Sequence, residues 1–214
     1  MLQVMSFDIA GTLVDLYYFN YVWEDAIPRL YARKWNISFD EAKEYVLEEY
    51  NRIGRNDIRW YVAEYWFDHF NLDEDPLEIF SLHTDKLRFY PEVISILEKL
   101  SQRYTLITAS SVPRNIQNTI LGQLPGYFKH TFSSISDRHE ITKTTAFYRT
   151  ICQVLRIKAK EIMHVGDDWY CDFLIPKMVG LNSVFLDRQG NHKGRFSILD
   201  LHELDNQLND LVSF

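Results

Sequence analysis

The run Val4-Met5-Ser6-Phe7-Asp8-Ile9-Ala10-Gly11-Thr12-Leu13-Val14-Asp15 decides how the chain reads. Leu2 to Phe7 is short and mostly apolar, as a buried strand would be, and it stops at a carboxylate, Asp8. The turn-prone Ala10-Gly11-Thr12 follows at once. From Asp15 to about Phe89 the apolar spacing is helical throughout. Ser38-Phe39-Asp40-Glu41 has capping-box spacing, and Ala42, Val46, Tyr50 and Ile53 then line one face up to Gly54. Ile58, Tyr61, Tyr65 and Trp66 form a second stripe. Asp75-Pro76 opens a third helix with Ile79, Phe80, His83 and Leu87 on one side.

After Tyr90-Pro91 the rhythm changes. Val93 to Leu100 reads as a helix, Tyr104 to Thr108 as a strand and Pro113 to Leu121 as a helix. His130 to Ile135, Ala146 to Leu155, Glu161 to Val165, Phe173 to Val179 and Ser183 to Leu186 continue the alternation. Strands alternating with helices imply parallel βαβ units with right-handed crossovers. The expectation is an α/β fold: a Rossmann-like parallel-sheet core of residues 1–14 and 91–214, interrupted by an all-helical insert of residues 15–90.

Composition bounds the function. The 214 residues are 46% hydrophobic and 25% charged, which excludes wholesale disorder. A formal charge of -7 argues against non-specific nucleic-acid binding, which runs on excess Lys and Arg. No apolar run approaches a membrane span. Met1 to Phe7 lacks a basic region and runs into Asp8, so no signal peptide is expected. Cys152 and Cys171 sit in no metal-binding pattern and read as reduced thiols. A soluble, cytoplasmic protein is expected, without membrane or nucleic-acid partners. Its oligomeric state is not legible. Aromatic residues reach 15%, and four of the five tryptophans (Trp23, Trp35, Trp60 and Trp66) fall in the helical insert.

In an open parallel sheet, ligands bind beyond the carboxyl ends of the strands. Asp8 ends the first strand, Thr108 the Tyr104 strand, and Gly166-Asp167-Asp168 the Ile162 strand, with Asp172 shortly after. Lys143 opens a helix between the last two strand ends. This set suits phosphoryl transfer to a carboxylate assisted by Mg²⁺. A carboxylate attacking a phosphate dianion needs a hard cation between them, and Mg²⁺ takes two or three protein oxygens and keeps its waters. Asp8 and Asp167 supply such oxygens, with Asp172 holding the metal's waters or Lys143. The Lys143 ammonium and Thr108 hydroxyl would orient the phosphoryl oxygens. Each residue alone is weak: an Asp at a strand end is usually a turn former, and a Lys at a helix start is usually solvated. His164, mid-strand, reads as a core histidine. His69, His83 and His139 have no zinc spacing.

The segments Phe7-Asp8-Ile9-Ala10-Gly11-Thr12, Leu106-Ile107-Thr108-Ala109-Ser110, Lys143, and His164-Val165-Gly166-Asp167-Asp168 with Asp172 resemble, in order, the four motifs of the haloacid dehalogenase (HAD) superfamily of hydrolases. The resemblance implies a phosphatase of small phosphorylated metabolites, with a helical cap between first and second motifs. It implies Asp8 as nucleophile and metal ligand, Thr108 with Ala109 beside it and Lys143 as phosphoryl-binding, and Asp167 and Asp172 as completing an Mg²⁺ site. The backbone carbonyl at position 10 is a further ligand in this pattern. The family's phosphatases also carry an Asp there, which protonates the leaving group and then activates water; here it is Ala10.

Ala10 leaves three readings open. The chain is a phosphatase slowed by a missing acid/base, a loss of roughly 10²–10⁴-fold. Or it resembles the phosphonatase branch, where Ala stands at this position and a cap lysine forms a Schiff base, the candidates being Lys34, Lys43 and Lys86. Or it binds a phospho-ligand or partner without catalysis. The dehalogenase branch fits least, because halide displacement needs no acidic metal cluster. Arg29, Arg33, Arg52, Arg55 and Arg59 of the insert could meet a second anionic group, although solvated helix faces are their default.

Overall fold

The structure is a computed structural model and describes residues 1–192, 194–204 and 208. Among the described residues the strands are β1 (Val4–Phe7), β2 (Thr105–Ser110), β3 (Phe128–Ser133), β4 (Ile162–Gly166), β5 (Asn182–Leu186) and β6 (Ser197–Ile198). They form one parallel sheet in the order β3-β2-β1-β4-β5-β6. The chain builds outward from β1 to one side, then returns and builds to the other. The topological switch therefore lies between β1 and β4, where Phe7 pairs with Val165.

Strand alternation sets the two faces. Met5, Phe7, Leu106, Met163 and Val165 pack on one side with Leu97 and Leu100 of the Val93–Ser101 helix and Ile116 and Ile120 of the Arg114–Leu121 helix. Val4, Ile107, Ala109 and Ile162 pack on the other with Phe147, Tyr148 and Ile151 of the Thr145–Leu155 helix. Burial on both faces explains why these strands read as continuous apolar runs.

Between β1 and β2 the chain is helical. Tyr17–Tyr21, a π-type segment Val22–Ala26, and Ile27–Trp35 follow one another without a break, and the latter two pack against the Phe39–Ile53 helix. The capping box at Ser38 and Glu41 forms as the spacing predicts, and Asp75 caps Pro76–Leu82. The rings concentrated here hold the insert together: Trp66 is buried against Tyr50, at 4.6 Å, and Phe70, at 5.5 Å. No helix among the described residues is long and apolar enough to cross a membrane.

Several details differ from the sequence reading, among them the His130–Ile135 segment, where the strand runs Phe128–Ser133 and the Ser133 side chain caps a helix, Ser134–Arg138. The second stripe is not one helix: Asp57 caps a single tight turn, Ile58–Tyr61, and extended Val62 separates it from Ala63–His69. Helix does not persist to Phe89, because Phe89 bridges Val14 in antiparallel fashion. The helix after β4 starts earlier than Phe173, at Trp169, because the Asp168 side chain caps it. Finally, β2 runs on to Ser110, and the short β6 has no clear sequence signal.

Candidate active site

Asp8 stands one residue past β1, its N–H donating to the carbonyl of Val165 on β4 at 2.9 Å. Its carboxylate is buried and accepts from Lys143 Nζ at 2.7 Å, with the Ser110 hydroxyl as a second partner. The Lys143 ammonium also pairs with Asp172. Asp172 in turn is held by His164 Nε2 at 2.8 Å and by the N–H of Asp168 at 3.1 Å. The other nitrogen of His164 meets the Ser6 hydroxyl at 2.8 Å. His164 is thus a buried, doubly partnered core histidine, as expected, and it also fixes the orientation of Asp172 from below the cleft.

Carboxylate oxygens of Asp8, Asp167 and Asp172 all lie within 4.8 Å of one another. Asp167 accepts from Thr12 Oγ1 at 3.0 Å. Two glycines make this convergence possible. A Cβ on Gly11 would stand 2.2 Å from Asp167 Oδ2, and one on Gly166 would stand 2.3 Å from the Asp172 carboxyl carbon. Gly11 also holds φ +82°, a conformation costly to any other residue. Arg188, beyond β5, pins the same turn by donating to the carbonyls of Thr12 at 2.8 Å and Gly11 at 3.3 Å. It also pairs with Glu92 at 2.8 Å. Nothing in the sequence singles out Arg188 for this bracing role, because the partners are backbone carbonyls 176 and 177 positions away.

The electrostatics follow from three acids around one buried cation. Burial, and repulsion from Asp172, raise the Asp8 pKa despite Lys143. Against its own burial, Asp172 is held well below the usual carboxylate range by Lys143 and His164. Lys143 is buried too, but Asp172 and Asp8 raise its pKa and keep it charged. Asp167, farthest from Lys143 in effect, is pushed up to about 7 by desolvation in the cleft and by the charges of Asp8 and Asp172. An all-oxygen set with surplus negative charge and glycine-cradled approach fits Mg²⁺. Asp8, Asp167 and Asp172 are the side chains that would hold it, and the Ala10 peptide lines the same cleft.

Two sequence-selected residues are not at the cleft. Thr108 is fully buried and its hydroxyl donates to Gln117 Oε1 at 2.9 Å. Ala109 is buried in the core on the far side of the sheet. The correction comes from strand length. Ser110 lies two residues beyond Thr108, so it shares that face but stands about 6–7 Å farther along, at the mouth of the cleft. Reading the strand as ending at Thr108 placed the hydroxyl one pleat too deep. Asp168 is a helix cap, accepting from the N–H groups of Tyr170 at 2.9 Å and Cys171 at 2.6 Å. Lys34, Lys43 and Lys86 pair with Asp73, Asp25 and Asp85, and none of them lines the cleft.

Comparison with known proteins agrees with this geometry. The family model described as haloacid dehalogenase-like hydrolase matches residues 2–180. A glyceraldehyde 3-phosphate phosphatase of Pyrococcus furiosus is 24% identical over 94% of this chain and 85% of its own length. The GMP/IMP nucleotidase YrfG of Escherichia coli is 33% identical, but over only 31% of this chain and 29% of the nucleotidase. Among solved structures, a HAD phosphatase from Thermococcus onnurineus superposes with a TM-score of 0.80 at 29% identity, covering 97% of this chain and 98% of that one. The magnesium-bound HAD-hydrolase YfnB of Bacillus subtilis shares the fold, with a TM-score of 0.65 at 16% identity over 97% and 99% of the two chains. With a matching family model, a parallel sheet and acids gathered at its switch point, this chain belongs to the haloacid dehalogenase-like hydrolases.

Proposed function

We propose that the protein is a magnesium-dependent phosphatase of small phosphomonoesters, with Asp8 as its nucleophile. The observation that carries this is the placement of Asp8. A buried carboxylate at the sheet's switch point touches Lys143 and Ser110 and has two further acids within metal-sharing distance. A bound magnesium ion would offset the repulsion between that carboxylate and a phosphate dianion. Lys143 and Ser110 would turn their donors to phosphoryl oxygens. An oxygen of Asp8 would attack phosphorus while the ester P–O bond breaks, and water would then hydrolyse the acyl phosphate, regenerating Asp8. Because Ala10 has no proton to give, the leaving alkoxide would take its proton from water, and turnover would be slow.

The insert of residues 15–90 would act as the cap. Its two connections run side by side, Asp15 N–H to Arg88 O at 3.0 Å and Tyr90 N–H to Leu13 O at 3.1 Å, a two-stranded junction on which it could pivot. The phosphatases among the relatives, one acting on glyceraldehyde 3-phosphate and one on nucleotides, support a small phosphorylated substrate. The phosphonatase reading finds no support, since no lysine of the insert lines the cleft among the described residues. The test is phosphate release from an activated aryl phosphate, with Mg²⁺ and with chelator, by this protein and by Asp8→Asn. Release that persists in chelator, or in Asp8→Asn, would overturn the reading.

A further inference from the structure

The cleft above Asp8 has a volume of about 710 Å³, the size that encloses a ligand of many atoms rather than a bare phosphate. Its floor is the charged cluster already described. Its roof belongs to the helical insert and is aromatic, with Phe19, Trp23, Tyr50, Trp60 and Tyr61 all facing the space. Trp23 and Trp60 are stacked on one another, at 28° with centroids 6.4 Å apart, and the pair borders the cleft as one aromatic unit.

Among the described residues, two groups in this roof lack a hydrogen-bonding or carboxylate partner. The hydroxyl of Tyr50 is buried and makes no hydrogen bond, although the residue lines the cleft and is only 6% exposed. Of the six arginines in the insert, Arg29, Arg33, Arg52 and Arg59 pair with Asp25, Glu74, Glu49 and Asp57, and Arg88 lies over the Tyr17 ring at 4.1 Å, away from the cleft. Arg55 has no carboxylate partner among the described residues; its guanidinium lies over the Trp60 ring at 5.1 Å and borders the cleft. The orphaned buried hydroxyl marks a site that a ligand completes, and the exposed Arg55 guanidinium, set over an indole face, borders it.

We propose that the alcohol portion of the substrate carries a planar, uncharged heteroaromatic ring, held along the Trp23–Trp60 wall with a polar edge toward the Tyr50 hydroxyl. This rests on the phosphatase reading of the floor and deepens it. A polyol chain could pair with Asn20, Asn51 and Ser111 at the cleft's edges, but it would leave the indole and phenyl faces without an apolar partner. A ring instead gains stacking, worth roughly tenfold or more in affinity per ring, and its edge satisfies Tyr50. Arg55 on one side disfavours a cationic ring, while the nearby Glu24 carboxylate disfavours an anionic one.

The test is calorimetric binding to the whole protein in Mg²⁺. The ligands are purine and pyrimidine nucleoside 5′-monophosphates, pyridoxine 5′-phosphate, ribose 5-phosphate and glycerol 3-phosphate, with phosphate release followed in parallel. At least one ring-bearing ester is expected to bind about tenfold or more tightly than ribose 5-phosphate, and which one does so identifies the ring's source. Trp60→Leu and the shape-preserving Tyr50→Phe are each expected to shrink that ratio several-fold. Equal affinities for ring-bearing and aliphatic esters, or a ratio unmoved by both variants, would overturn the ring site. Ring-selective binding with no phosphate released even from an activated aryl phosphate would uphold the ring site and overturn the phosphatase reading.

Discussion

The ammonium of Lys143 donates to Asp8 Oδ1 at 2.7 Å while also pairing with Asp172, so one buried cation serves two buried acids. Replacing it with an apolar side chain of similar length leaves those carboxylates uncompensated. Lys143→Met is expected to lower stability by about 3–5 kcal/mol in chelator, because breaking a buried pair strands the remaining charge. Saturating Mg²⁺ is expected to restore much of the loss. Denaturant unfolding with and without the metal measures both effects, and equal midpoints for variant and parent in chelator would contradict the claim.

Thr108 and Ser110 share a strand face and differ in depth, which makes them a matched pair. Ser110→Ala is expected to reduce phosphate turnover by about 10-fold or more with little change in stability, since it removes a donor next to Asp8. Thr108→Val is expected to do the opposite, leaving turnover per folded molecule nearly intact. It strands buried Gln117 Oε1 at a cost of about 1–3 kcal/mol. Steady-state kinetics beside urea titrations separate the two outcomes.

Asp167 titrates at about 7 in the folded chain, against 3.8 for an ordinary aspartate. The folded state therefore binds the extra proton between these values. Asp167's contribution to the stability of the cation-free protein is fully present below pH 3.8 and is lost as pH rises through 7. Metal binding runs the other way, because it requires the deprotonated carboxylate. Mg²⁺ affinity is expected to climb with pH up to about 7 and then level off. Titration calorimetry from pH 5.5 to 8.5 in buffers of different ionisation enthalpy would show the accompanying proton release; a flat affinity profile would contradict it.

Ala10 faces the cleft without a proton to transfer. Ala10→Asp is expected to raise turnover of an unactivated phosphomonoester by roughly 10²–10⁴-fold, the usual worth of a positioned acid/base. With an activated aryl phosphate, the unaltered protein is expected to accumulate a phosphoryl group on Asp8, visible as added mass in the intact chain. Equal rates for the two forms would remove the missing acid as the cause of slow turnover.

Legibility in the sequence follows the range of the interaction. The capping box at Ser38 and Glu41, the Asp75 cap and the apolar run of β1 are set by residues within a few positions, and all three are where local chemistry puts them. The alternation of strand and helix was enough for the parallel sheet, since crossovers leave few topologies. Strand ends were harder. Ala109 and Ser110 have no local signal distinguishing the last pleat of β2 from a loop, and only pairing with β3 carries the strand through Ser110.

Periodicity and composition are local properties, and they suffice to read this chain as an α/β protein with a helical insert and acids at its strand ends. Tertiary structure alone decided that Ser110 rather than Thr108 meets Asp8, that Arg188 braces the first turn, and that Tyr50 and Arg55 share a roof above the carboxylates. The first two join residues more than 100 positions apart through direct hydrogen bonds, and the third sets the insert over the core. Such proximity follows from how sheet and insert pack, and no window of neighbouring residues records it.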